Sequence, residues 1–317
     1  MWRFRRTPVI DPAYGDPRAR ALLTALGARD RQTVREIFLT AAGPDDHACL
    51  MEVATGADGV QDWIGEWVAA EPDATLPLLL QGCHAVSWAW EARGARYARF
   101  TREEQFREFF RRLTFAENCL NEVVDRDPHE VTAWTWLTLS ARGRQVDPEE
   151  AAARFAEVTK RVPEHLVAHE QRLQYLCGKW FGSHQEMFAF ARESAARASY
   201  GSMLPELLVV AHLEYWLSLP SGEDDAYLIS GPVRADVVTA AEHSVLHTAF
   251  VPRFGWPPRA NTFAMALTMT GEYARAARVF DLIGDRVTEW PWSYRTIVGS
   301  PARKFVAARR EAYRNRG

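Results

Sequence analysis

Apolar residues recur with a helical period through most of this chain. In "RQTVREIFLTAA" they return at every third or fourth position, which predicts an amphipathic helix. "GADGVQDWIGEWVAA" places Trp63, Trp67 and Val68 on one helical face. Alternating runs of β-branched residues, the pattern of half-buried strands, are almost lacking. The pattern therefore predicts an all-α protein with little or no sheet.

A second, longer period runs through the middle of the chain. "RDPHEVTAWTWLTLSARGR" contains Pro128 and "RVPEHLVAHEQRLQYLCGK" contains Pro163, and the two prolines are 35 positions apart. In this register Gly143 matches Gly178. A fixed period in the mid-thirties indicates stacked helical hairpins, because one hairpin cannot bury both of its apolar faces alone.

The repeats resemble the tetratricopeptide-repeat (TPR) family, which has Trp, Leu and Gly on its first helix and Ala, Phe and a closing Pro on its second. The matching positions, from the central copy and from "ANTFAMALTMTGEYARAARVFDLIG", are Trp134, Leu137, Ala151, Phe155, Pro163, Ala264, Gly271, Tyr273, Ala276 and Phe280. The stretch "LQYLCGKWFGSHQEMFAFAR" also resembles a bacterial family of TPR-like proteins with no assigned function. The resemblance implies a right-handed α-solenoid of stacked helical hairpins with an N-terminal helical head.

Three parts of the chain differ in pattern. Prolines in the first twenty residues and short helices after them predict an arm and helical head over 1–60. The TPR-like array is predicted over 61–300. "PARKFVAARREAYRNRG" at 301–317 carries about five net positive charges on a weakly apolar helix. We expect it to be a basic capping helix or tail, with a docking patch for an acidic partner or phosphate as the alternative.

Composition and charge narrow the classes of function. The net charge is −3 at pH 7, so neither nucleic acid nor an anionic membrane surface is an expected partner of the whole molecule. The apolar runs are shorter than a signal peptide or a bilayer-spanning helix requires. The four cysteines form no C-x-x-C pair and lie in apolar helical contexts, which predicts buried reduced thiols. A cytoplasmic protein is the resulting expectation.

The TPR resemblance implies a binding function. In such arrays the first helix of each repeat lines an inner groove that holds an extended peptide or a partner helix. The corresponding positions here are Thr132, Thr135, Leu139, Arg142, Glu170, Gln174, Asn261 and Met265. Arg142 would bind a partner carboxylate, since a guanidinium gives two directional hydrogen bonds. The first hypothesis is a non-catalytic scaffold for a protein or peptide partner, with the oligomeric state left open and no cofactor.

Two identical histidine patterns support an alternative. "EHLVAH" holds His165 and His169, and "EHSVLH" holds His243 and His247. Two histidines four apart on one helical face can bind Zn, Fe or Cu through their imidazoles. The second hypothesis is therefore a metal-dependent enzyme or sensor. Structural histidines in packed positions explain the same pattern, and no H-E-x-x-H motif occurs.

A third hypothesis concerns the aromatic residues near the end of the chain. "RFGWPPRANTF" and "EWPWSYR" combine tryptophan, tyrosine and phenylalanine with four prolines. Aromatic residues outside helices fill packing seams, but they also form the walls of ligand pockets. A small-molecule sensor with an aromatic C-terminal pocket is the corresponding hypothesis.

Overall fold

The computed structural model describes residues 7–94, 101–294 and 300–317. Sixteen α-helices and one short 3-10 helix form within these ranges, and no β-strand does. The all-α prediction is thus confirmed. Parts of the predicted arm (1–6) and of the predicted array (95–100 and 295–299) lie outside the described residues.

The chain divides into two compact units. The N-terminal unit is Asp16–Tyr175, and the C-terminal unit is Leu176–Gly317 together with Met1–Gly15. The division falls inside the range predicted as one array, 61–300. Each unit has its own core and is described by itself below.

The N-terminal unit contains nine helices among its described residues, the last of which ends at the unit boundary. They are α1 (Pro17–Gly27), α2 (Arg31–Leu39), α3 (Pro44–Thr55), α4 (Ile64–Ala70), α5 (Thr75–Arg93), α6 (Glu103–Arg126), α7 (Val131–Arg144), α8 (Pro148–Thr159) and α9 (Leu166–Leu176), with the 3-10 helix Val60–Asp62 before α4. Successive helices pack as pairs: α5 with α6, α6 with α7, and α7 with α8. The pairing of α7 with α8 matches the hairpin predicted from the Pro128 repeat.

The described part of the C-terminal unit forms seven helices. They are α10 (His184–Arg197), α11 (Glu206–Ser218), α12 (Glu223–Leu228), α13 (Gly231–His243), α14 (Trp256–Met269), α15 (Tyr273–Ile283) and α16 (Pro301–Asn315). The closest pairs are α10 with α11, α14 with α15, and α15 with α16. Gly271, at φ +76°, lies in the turn between α14 and α15, where a residue with a side chain would be strained.

Local sequence explains where many helices begin. Asp16, Asp30, Asp147, Ser183 and Ser300 each accept a hydrogen bond from a backbone N–H of the first helical turn that follows. Such caps satisfy donors that have no partner inside the helix. Proline in the first turn of α1, α3, α8, α13, α14 and α16 adds a preset φ at a position without an obligatory donor.

The core of the C-terminal unit is built around aromatic rings. The rings of Phe280 and Phe305 are 5.3 Å apart, and the ring of Trp292 is 5.5 Å from Phe305. All three side chains are buried. Burying one such ring contributes about 1.5–3 kcal/mol of transfer free energy. Because Phe305 belongs to α16, the basic C-terminal helix is fixed to this core through its apolar face.

Candidate functional site

A cleft in the C-terminal unit opens between α10 and α13, with α11 as its floor. Its volume is about 710 Å³. The lining side chains come from four helices and the turn before α13: His184, Gln185, Phe188, Ala189, Arg192, His212, Tyr215, Tyr227, Ser230, Pro232, Val233 and Asp236. A cleft of this size, mostly apolar with a few convergent polar groups, is typical of a binding site for an organic ligand.

Helical spacing directs one face of α10 into the cleft. His184, Phe188 and Arg192 are four residues apart in turn, and Gln185 and Ala189 follow the same period. The helix begins directly after Ser183, whose Oγ accepts from the backbone N–H of Glu186 at 3.2 Å, as the side chain of an N-cap residue does.

The Lys-Trp-Phe-Gly turn before α10 is held by two features. Lys179 donates to the buried Glu214 of α11, with 2.7 Å between Nζ and Oε2. Gly182 has no space for a side chain, because a Cβ atom there would overlap the backbone carbonyl of Leu176. The turn thus has a fixed conformation, and it sets the position at which α10 begins.

Aromatic rings form the walls of the cleft. The ring of Tyr215 lies edge-on to His184 at 4.8 Å and to Tyr227 at 4.8 Å between centroids. Phe188 lies edge-on to His212 at 4.9 Å. These are the offset geometries that the quadrupoles of aromatic rings prefer. The rings brace one another, so the walls are present before any ligand enters.

A chain of polar contacts lies beneath the aromatic walls. His212 is 4% exposed, with Nδ1 2.5 Å from the Tyr227 hydroxyl and Nε2 3.1 Å from Oδ2 of Asp236. Arg192 donates from Nη2 to the same carboxylate oxygen at 2.9 Å. A carboxylate only accepts, so we assign the proton of neutral His212 to Nε2 and a donated hydrogen bond from Tyr227 to Nδ1.

Burial sets the protonation of this chain of contacts. Desolvation lowers the pKa of His212, although its hydrogen bond with Asp236 opposes the shift. Burial, and next the neighbouring Tyr215, raise the pKa of the Tyr227 phenol. A neutral imidazole and a protonated phenol are therefore the forms present near neutral pH. This arrangement holds the side chains in place and does not generate a reactive phenolate.

The structure shows where the four predicted metal-binding histidines lie. Two of them, His165 and His247, lie outside the helices, so the prediction that each pair shares one helical face is wrong. His165 precedes α9, and its Nδ1 accepts from the backbone N–H of Ala168 at 3.3 Å. His247 follows the end of α13, because the backbone leaves the helical conformation at Ser244.

Each of the other two histidines has a backbone carbonyl as partner of one ring nitrogen. His169 donates from Nδ1 to the carbonyl of His165 at 2.8 Å, and His243 donates from Nε2 to the carbonyl of Ala198 at 2.9 Å. Within the described ranges, no three His, Cys, Asp or Glu side chains are close enough together to hold a metal ion. The metal hypothesis gains no support from this arrangement.

Four of the predicted groove residues are buried within their own units. Thr132, Thr135, Asn261 and Met265 are 1%, 0%, 0% and 7% exposed. The Thr132 hydroxyl is 2.7 Å from Nδ1 of His47, and Asn261 accepts from the indole N–H of Trp292 at 2.7 Å. These side chains pack their helices against neighbours, so they are not exposed to a partner in this structure.

The other four groove residues, Leu139, Arg142, Glu170 and Gln174, are half-buried on α7 and α9. The Arg142 guanidinium lies 5.0 Å from the ring centroid of Trp90 on α5. Stacking on an indole is a favourable use of arginine in itself. Arg142 therefore contributes to the packing of the N-terminal unit, and its assignment as a carboxylate-binding residue stays a prediction.

The aromatic cluster predicted as a pocket is largely core. Phe263 and Trp292 are buried in the C-terminal unit, while Phe254, Trp256, Trp290 and Tyr294 are half-buried. The aromatic walls of the cleft come from α10, α11 and α12 instead, and none of the described residues of the two predicted segments lines it. One sequence signal could have indicated it: His212 and Glu214 stand in the otherwise apolar run "LPELLVVAHLEYW" and need partners when that helix is buried.

Comparison of the chain with known proteins gives no match. No protein-family model, no curated protein and no solved structure matches it. None of the helices within the described residues has the length and apolar character needed to cross a bilayer.

Proposed function

We propose that this chain is a non-catalytic scaffold that binds a segment of a partner polypeptide, with one side chain of that segment in the cleft between α10 and α13. The helical hairpins α7–α8 and α14–α15, at the positions of the predicted repeats, support a TPR-like architecture. The right-handed solenoid belongs to the same proposal and is supported by the mid-thirties period. A cytoplasmic location is also part of the proposal, and four buried free cysteines support it.

The observation that carries the proposal is an aromatic cleft continued by exposed apolar surface. Ile229, beside the cleft residue Ser230, is 66% exposed, and Phe181, just before α10, is 39% exposed. An enclosed metabolite would leave these side chains in water. A polypeptide segment that extends beyond the cleft can cover them, as partner segments do in helical grooves.

Selection from a displayed library of random peptides tests the proposal. Ala189→Trp on α10 fills the cleft from an exposed position, and Ala196→Trp adds the same side chain to an exposed position of the same helix outside the cleft. We expect wild type and Ala196→Trp to enrich related peptides and Ala189→Trp to lose them. The absence of enriched peptides, or equal binding by all three proteins, would refute the proposal.

A small-molecule ligand is the second candidate, and the cleft's volume favours it. About 710 Å³ lies within the range of sites for small organic ligands. A ligand of this class raises the melting temperature of the wild type by binding only the folded state. The same Ala189→Trp and Ala196→Trp pair tests this, since only the first should abolish the shift.

A further inference from the structure

The geometry points to a cation as the group that enters the cleft: the ammonium or guanidinium of a basic side chain, placed against the aromatic walls and the free oxygen of Asp236. This inference rests on the proposed function for the source of the cation, a lysine or arginine of the partner segment. The recognition chemistry itself depends only on the cleft.

The first argument is that the protein already places one of its own cations there. The Arg192 guanidinium lies 5.2 Å from the ring centroid of Phe188 and pairs with Asp236 at 2.9 Å. Its side chain is 56% exposed, so the pair stands at the mouth of the cleft. Attraction to a ring face together with a carboxylate is what an incoming cation would also use.

The second argument is the supply of acceptors. Both contacts to Asp236, from Arg192 and from His212, go to Oδ2, and Oδ1 has no hydrogen bond within the described part of the chain. The Tyr227 hydroxyl donates a hydrogen bond to Nδ1 of His212, so the lone pairs of the Tyr227 oxygen remain available as acceptors. Two acceptors thus border the cleft, and an ammonium or guanidinium needs acceptors only.

The third argument is that the cleft offers an anion little positive charge to bind. Among the lining residues only Arg192 carries a fixed positive charge, and Asp236 already neutralises it. Burial keeps His212 in its neutral form. The faces of Phe188, Tyr215 and Tyr227 carry negative partial charge, which attracts cations and repels anions.

It follows that Arg192 competes with the ligand. An incoming cation either displaces the guanidinium from Phe188 and Asp236 or shares the carboxylate with it through Oδ1. Removing Arg192 should therefore improve cation binding, whereas it would weaken the binding of an anion. The sign of the effect of one substitution separates the two classes of ligand.

The experiment uses three probes with one phenylethyl body: phenethylamine, phenethyl alcohol and hydrocinnamate, which are cationic, neutral and anionic. Their dissociation constants for the full chain are measured by NMR titration. We expect the amine to bind about three- to thirtyfold more tightly than the alcohol, the combined range of an exposed cation–π contact and an exposed ion pair. Hydrocinnamate should bind more weakly than the alcohol.

Variants then assign the preference to the cleft. Arg192→Ala should tighten amine binding by about two- to fivefold, the contribution of a partly exposed ion pair. Arg192→Gln, which removes the charge but keeps a polar side chain with N–H donors, should act in the same direction. Asp236→Asn, which can still accept from His212, should remove the advantage of the amine over the alcohol.

Arg197→Ala is the matched control. It removes the same charge from the same helix, but Arg197 is 80% exposed, pairs with Glu193 and lies outside the cleft. It should leave all three constants unchanged. If it tightened amine binding as much as Arg192→Ala does, the effect would come from the overall charge and the inference would be overturned.

The remaining outcomes are equally decisive. Tightest binding by hydrocinnamate, with loss in Arg192→Ala, would make this an anion site and overturn the inference. Equal binding of the three probes, or none, would overturn it as well. If the amine binds as expected but no displayed peptide is enriched, the cation site is supported and the proposal of a polypeptide partner is refuted.

Discussion

The two units place their buried polar groups in different ways. In the N-terminal unit Glu117 of α6 is 8% exposed and accepts from Arg154 and Ser140 at 2.6 Å each and from Arg144 at 3.2 Å. This network is internal and joins three helices. In the C-terminal unit the corresponding polar chain, from Tyr227 through His212 to Asp236, lies at the edge of an open cleft.

The difference separates polar groups that hold a fold together from groups that can meet a ligand. Every oxygen of Glu117 has a protein donor. Asp236 retains an oxygen, Oδ1, that has no donor among the described residues and lies next to aromatic walls. In both arrangements a carboxylate on one helix accepts hydrogen bonds from side chains of neighbouring helices, an arginine among them. A carboxylate oxygen that is accessible and without a protein donor indicates where a ligand can bind, whereas a polar network by itself does not.

Removal of one buried, ion-paired carboxylate from each unit should have the largest effect. Glu117→Ala removes the buried partner of Arg154, whose side chain is 12% exposed, and leaves it the exposed Glu150 as its carboxylate partner. It should destabilise the N-terminal unit by about 3 kcal/mol. The matched change is Glu272→Ala in the C-terminal unit, where the partners Arg234 and Arg275 are 52% and 36% exposed. It should cost about 1 kcal/mol, because water solvates both partners.

Hydrogen exchange of amides in each unit measures both losses separately. Equal losses for the two substitutions would mean that the interior position of the Glu117 network has no energetic consequence.

Two glycines offer a smaller test. Gly182→Ala in the turn before α10 should destabilise the C-terminal unit by about 1–3 kcal/mol, because the backbone carbonyl of Leu176 cannot move aside. At Gly143 on α7, a Cβ would meet only side-chain atoms, Leu113 Cδ1 at 2.6 Å and Phe109 Cζ at 2.9 Å, so these two buried side chains have to shift. Gly143→Ala should therefore cost less than Gly182→Ala, since side chains shift more readily than backbone and the helix gains from alanine. Denaturant titration compares them, and a larger loss at Gly143 would contradict the argument.

Lower pH should weaken the N-terminal unit more than the C-terminal unit. Burial lowers the pKa of four N-terminal histidines, His47, His84, His165 and His169, and of His212 in the C-terminal unit. With a lowered pKa in the folded state, the unfolded chain binds protons first. Stability is thus fully present above the ordinary value of 6.5 and is lost as the pH falls from there toward the folded pKa.

The measurement is hydrogen exchange in both units as a function of pH, corrected for the intrinsic exchange rate. Each such histidine adds up to about 1.4 kcal/mol per pH unit to the slope within its window. His84→Gln, which retains a partner for Gln61, should reduce the slope of the N-terminal unit alone. Equal slopes in the two units would contradict the expectation.

The smallest expected effect comes from helix caps. Ser183→Ala at the start of α10 and Asp147→Ala at the start of α8 each remove an acceptor of one backbone N–H and should cost about 1 kcal/mol. Only Ser183→Ala should also weaken the binding of phenethylamine, because α10 forms one wall of the cleft. If Asp147→Ala weakened phenethylamine binding to the same extent, binding would not depend on the local order of α10.

Sequence patterns predict the helices well and the cleft poorly, for a physical reason. The helical period and the caps depend on residues within a few positions, so the starts at Ser183 and Pro301 and the turn at Gly271 follow from short stretches. The cleft requires α10 and α13 to approach across α11, and no local pattern encodes that distance. Similarly, a helix in a repeat has two partly apolar faces, and the pattern alone did not show that Thr135 and Asn261 face inward.

The arm that precedes α1 has a consequence for synthesis. Residues 7–15 belong to the C-terminal unit, where Ile10 packs on the core and Arg286 lies against Gly15, so Asp16–Tyr175 is an insertion within that unit. Domains fold as units while the chain leaves the ribosome. The inserted unit can therefore fold as soon as it has emerged, whereas the arm has to wait until residues near 286 are made. Whatever the cleft binds, its unit is completed after the inserted unit.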